Sequence, residues 1–170
     1  MEKYKWFRYF AYTIEILIFF MVQETPGLIP QLFGARPVLL IPVALSIALY
    51  ENEKASMSFG LFCGLLIDFG MGGVLGFHGL LLSVTCYALG VLAANLIKTN
   101  FLTAMMIAIV VSASVFLLQW VFFFLLFDYE EPVYALTAHY VPRFCYTVAF
   151  MPIAYYFNRA LALQIRSKEE

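Results

Sequence analysis

The stretch from Phe59 to Ser83, FGLFCGLLIDFGMGGVLGFHGLLLS, constrains the fold more than any other part of the chain. It is apolar up to one acid, Asp68, breaks on Gly70, Gly72 and Gly73, and resumes as a second apolar segment. Two membrane helices joined by a tight turn satisfy that pattern. Gly60, Gly64 and Asp68 recur at intervals of four, so in a helix they share one stripe, with two side-chain-free positions leading to a carboxyl. The stripe is expected to face protein: a carboxyl toward lipid is costly, and glycines let a neighbouring backbone come close.

Composition agrees with a lipid environment. Of 170 residues, 64% are hydrophobic and 12% charged, and the mean hydropathy is +0.87. A soluble domain of this size cannot hide so much apolar surface. The net charge of -1, with basic residues mostly at segment ends, argues against a nucleic-acid surface. Cys63, Cys86 and Cys145 lie far apart inside apolar runs and read as small core residues, with neither a disulfide framework nor a metal site.

Hydropathy predicts an all-α, single-domain membrane bundle of six transmembrane helices, at approximately 6–23, 37–50, 56–69, 74–96, 102–127 and 142–161. The first resembles a signal peptide but ends in Gln23-Glu24-Thr25-Pro26, without a small-x-small cleavage site, and is read as a retained helix. Glu15 falls roughly 13 Å along that helix from Trp6, near the bilayer middle, and is expected to be protonated, partnered or facing a polar cavity. The second and third segments look short for a core about 30 Å thick. Either their flanks extend them, or neighbours shield them, or they form a re-entrant hairpin. Pro142 is expected to open the last helix, leaving Arg143 near an interface where it can snorkel, and Pro152 to kink it.

With both termini cytoplasmic, Lys3, Lys5, Arg8, Lys54, Lys98, Arg159, Arg166 and Lys168 fall inside, and only Arg36 and Arg143 outside. That asymmetry sets the orientation.

Catalytic motifs are missing: no Walker A loop, HExxH, CxxC or GxSxG occurs. His78 and His139 have no ligand spacing, so no metal or cofactor is expected. Asp68 reads as a capping or interhelical hydrogen-bonding residue. The pairs Ala44/Ala48, Ala104/Ala108 and Gly90/Ala94 mark close packing, and the tract Trp120 to Phe124 reads as an interfacial aromatic belt. Arg143 with His139, four residues earlier, reads as a headgroup contact more simply than as a dedicated anion site.

The order of landmarks then resembles a known family. Pro37 opens helix 2, Gly64-Leu65-x-x-Asp68 lies on helix 3, and Leu75-Gly76 turns into helix 4. This is similar to the rod shape-determining protein MreD family, and Glu15 is the departure from its pattern. The resemblance implies a non-enzymatic membrane scaffold of the bacterial elongation complex in the plasma membrane. It implies association with MreC and, indirectly, with MreB, RodA and a class B penicillin-binding protein. It also implies a likeness in fold to the substrate-binding components of energy-coupling-factor vitamin transporters, which leaves vitamin binding as an alternative. Bulky Ile16, Leu17, Ile18 and Phe19 around Glu15 count against that alternative, because small residues are what close helix contacts need. An intramembrane enzyme working through Glu15 and Asp68 would require the two carboxyls within hydrogen-bond reach, directly or through one water.

Overall fold

In the computed structural model, which describes residues 2–31, 34–71, 74–95, 100–125, 134 and 136–166, helices follow one another along the chain. They are α1 (Glu2–Glu24), α2 (Leu40–Ala48), α3 (Glu53–Met71), α4 (Phe77–Asn95) and α5 (Phe101–Trp120). A wide π-type turn, Val121–Leu125, prolongs α5. A second, Leu136–Tyr140, leads into α6 (Val141–Ala149), which is followed by α7 (Met151–Arg166). No strand occurs among the described residues. Among the described residues three helical runs are long and apolar enough to cross a membrane: α3, α4 and Phe101–Phe123.

The centre is α2. Its sequence, LIPVALSIA, is apolar on every side but for Ser46, and all its residues are buried. Nine residues rise only about 13 Å, so the helix is shorter at both ends than the 37–50 expectation. Tyr12 and Ile16 of α1, Cys63 and Ile67 of α3, Leu82 and Cys86 of α4, Ala104 and Ala108 of α5, and Tyr155 of α7 belong to the same buried core. A short buried helix must find partners for its open backbone groups. Thr147 Oγ1 accepts from Val38 N–H at 3.0 Å. Ser56 Oγ lies 3.2 Å from Glu51 O and 3.4 Å from Ala48 O, and the Cys86 thiol points at Ala44 O at 3.7 Å.

In lipid, apolar burial gives little drive for one helix to meet another, so close packing and hydrogen bonds must hold the assembly. The α3–α4 hairpin shows how. A Cβ on Gly60 would stand 2.6 Å from Leu82 O and 2.8 Å from Cys86 Cβ. On Gly64 it would stand 2.5 Å from Gly79 Cα, and on Gly90 it would stand 2.7 Å from Glu53 Cα. Three glycines thus bring two backbones together along one seam.

Several expectations change. α3 is 19 residues long, or roughly 28 Å, because it extends past both ends of 56–69 and no longer falls short of the core. α4 begins at Phe77, since Val74 to Gly76 are spent on the turn. The last helix is interrupted at Phe150, two residues before Pro152, whose absent N–H and ring remove the bond to Val148 O. Pro142 does stand in the first turn of its helix, which starts at Val141, and the wide turn Leu136–Tyr140 precedes it. Cys63 and Cys86 are buried but Cys145 is exposed, so it is not a core residue. The acidic loop 128–132 lies outside the described residues.

Candidate functional site

The turn between α3 and α4 is built on Asp68. One turn before the end of α3, its carboxylate reaches across to the start of α4. Oδ2 accepts from Gly76 N at 2.9 Å and Gly79 N at 3.2 Å. Oδ1 accepts from His78 N at 3.1 Å and contacts His78 Nδ1 at 2.7 Å. These amides are orphan donors of a helix N-terminus, where a negative group is favoured. Gly76 has φ +98°, a left-handed conformation that side chains resist. Both oxygens of Asp68 are occupied structurally, so the group is not presented as a free base.

Beside the turn is a cavity of about 200 Å³ lined by Asp68, His78, Phe77, Gln119, Phe123 and Tyr140, among others. Phe77 packs edge-on against Phe122 and Phe123, with centroids 5.6 and 5.7 Å apart, which ties the start of α4 to the end of α5. That part of the aromatic tract is therefore an interhelical contact as well as a belt. Gln119 is buried, and its Oε1 makes no hydrogen bond among the described residues.

Glu15 finds a different set of partners. Asn158 Nδ2 lies 2.8 Å from Glu15 Oε1, 2.8 Å from Ser46 Oγ and 3.1 Å from Ala154 O. All three side chains are buried. One amide therefore joins α1, α2 and α7. Glu15 and Asp68 are not brought together: each is bonded within its own group.

At one end of the bundle Arg8 and Glu51 form a buried ion pair, with Nε to Oε1 at 2.6 Å and Nη2 to Oε2 at 3.0 Å. This two-pronged contact fixes α1 against the loop after α2. Arg143, expected near an interface, is half-buried in α6, and its Nε donates to Arg36 O at 3.2 Å.

Of the residues singled out in the sequence, Gly60, Gly64, Asp68 and Gly76 converge on the hairpin. Pro37 is buried on the approach to α2, and Leu65 lies over Gly79 while 42% exposed. Leu75 is 72% exposed and outside the packing. Sequence reasoning missed Ser46, Glu51, Gln119 and Asn158. A lone amide inside MPIAYYFNRA was the available signal, because a polar group in an apolar helix needs a partner. Among the described residues no three His, Cys, Asp or Glu side chains cluster as metal ligands.

The model of one family, the rod shape-determining protein MreD, matches residues 4–161. The chain belongs to the MreD family. No curated protein and no solved structure matches it. As an MreD family member with three apolar membrane-length helices, the protein is a membrane protein of bacterial shape determination. In this chain Asp68 and Gly76 close the α3–α4 turn, and Gly64 packs against Gly79 in the seam beside it.

Proposed function

We propose that this MreD-family protein is a non-enzymatic, multi-pass scaffold of the elongation complex, with both termini cytoplasmic. In this reading it holds MreC and, through MreC, connects RodA and a class B penicillin-binding protein to cytoplasmic MreB. The observation that carries it is the α3–α4 hairpin. Its only acid within the apolar run is consumed in closing the turn, while its far side presents Leu61, Leu65, Phe69, Leu80, Val84 and Tyr87 unburied. A surface so rigidly backed suits holding a partner helix, and among the described residues no other group near it is arranged for bond-making chemistry.

The test is Gly64→Leu in a rod-shaped host, with Leu65→Ala as the control. Loss of MreC co-purification and rounded cells for Gly64→Leu, with Leu65→Ala retaining rod shape, is the expected result. Normal assembly and shape with Gly64→Leu would overturn the role of the hairpin. Tight retention of a radiolabelled vitamin by the purified protein would favour the transporter-component reading instead.

A further inference from the structure

Arg36 and Arg143 are 107 positions apart in sequence, yet the fold places them side by side. Arg36 lies on the segment entering α2, and Arg143 on the first turn of α6. The 3.2 Å bond from Arg143 Nε to Arg36 O locks the two segments together. With Gly34, Ala35 and His139 they line a recess of about 290 Å³. Gln31, its amide oxygen turned to Arg36, accepts from Nε and Nη2 at 2.9 Å each. That orients the guanidinium and leaves its Nη1 outside the pair.

Among the described residues neither arginine forms an ion pair. An acid, Glu24, lines an adjoining recess with Arg36 and Arg143. Its carboxylate lies tight against Gly70 and receives Gln23 Nε2 at 3.3 Å. Glu24 draws electrostatically on Arg143 from that adjoining recess, while both arginines line the larger recess, where an anion with several oxygens can accept from the two side chains together. Arginine's planar fork fits the oxygens of phosphate in particular.

The adjoining face of the same helical stretch is apolar. Leu136, Tyr140, Val141 and Phe144 face Phe116 and Leu117 of α5 across a cleft of about 200 Å³. His139 and Arg143 therefore border a charged recess while their helical neighbours border a greasy one, which is the layout an amphiphile requires. We propose that the Arg36/His139/Arg143 recess binds the phosphate of an anionic phospholipid headgroup, with an acyl chain lying toward the α5–α6 cleft. This site does not depend on the scaffold reading.

The full-length protein is titrated in detergent with phosphatidylglycerol, with phosphatidylcholine, or with inorganic phosphate, and retained species are counted by native mass spectrometry. The expected result is one retained phosphatidylglycerol, preferred over phosphatidylcholine by about tenfold or more, with Arg36→Gln and Arg143→Gln each losing about tenfold in retention. Arg36→Gln decides the matter if Arg143→Gln fails to fold, because the Arg36 side chain is exposed and its carbonyl bond to Arg143 survives the change. Equal retention of the two lipids, or no effect of Arg36→Gln, overturns the proposal. Retained inorganic phosphate without lipid preference would assign the recess to free phosphate and overturn the lipid part.

Discussion

Asn158 of α7 donates its side-chain amide to Glu15 of α1 at 2.8 Å, across 143 positions of sequence. The same amide lies 2.8 Å from Ser46 on the buried α2. A single polar group therefore sets how the first and last helices meet the central one, in an interior where helix association cannot rely on apolar burial. Removing it should loosen the bundle as a whole rather than one loop.

Asn158→Ala leaves a buried carboxyl without its amide donor and is expected to cost about 1–2 kcal/mol. Glu15→Gln keeps an oxygen facing Asn158 and should cost less. Thermal unfolding in detergent, followed by circular dichroism, measures the order. An Asn158→Ala protein as stable as the parent would remove the network from the account.

Asp68→Asn replaces one acceptor oxygen with an NH₂ facing amide donors. Loss of a cap carried by a buried charged acceptor should cost about 1–3 kcal/mol. Hydrogen exchange at Gly76, His78 and Gly79 is the direct readout, since these are the amides that Asp68 binds. Faster exchange there, with α5 unaffected, is expected.

The glycines of the hairpin should differ in a defined way. At Gly64 an added Cβ meets the backbone of Gly79 at 2.5 Å, so Gly64→Ala should cost about 1–3 kcal/mol. At Gly79 it meets side chains and no backbone, Leu65 at 3.2 and 3.3 Å and Leu61 at 3.6 Å, and the about 1 kcal/mol gained in helix propensity should make Gly79→Ala nearly neutral. Gly76→Ala has open space but φ +98°, and should cost about 1–2 kcal/mol from backbone strain. Chemical denaturation of the three variants checks the ranking, and equal stabilities would contradict the seam.

Cys63 and Cys86 are fully buried and Cys145 is exposed. N-ethylmaleimide should modify one thiol in the folded protein and three after unfolding. Intact-protein mass spectrometry reads the stoichiometry, and rapid labelling of all three without denaturant would refute the packing around α2.

The helical class, the hairpin and the glycine stripe were legible because they depend on local spacing. Gly60, Gly64 and Asp68 share a helix face by the 3.6-residue period alone. The full burial of α2 was only half legible: an all-apolar segment must be shielded, but the flanking turns that shorten it to Leu40–Ala48 carry no period. The break at Phe150 was displaced from Pro152 because proline acts on the carbonyl four residues before it.

The amino-acid order by itself determined that this chain is helical, that it belongs in lipid, and that a sharp turn follows Asp68, since propensity, hydropathy and glycine conformation act over a few neighbouring residues. Only the tertiary structure decided that Glu15 meets Asn158, that Arg8 meets Glu51, and that Arg36 meets Arg143. A lone polar group states its need for a partner, but which partner it reaches depends on how helices distant in sequence cross, and that is set by packing of the whole bundle.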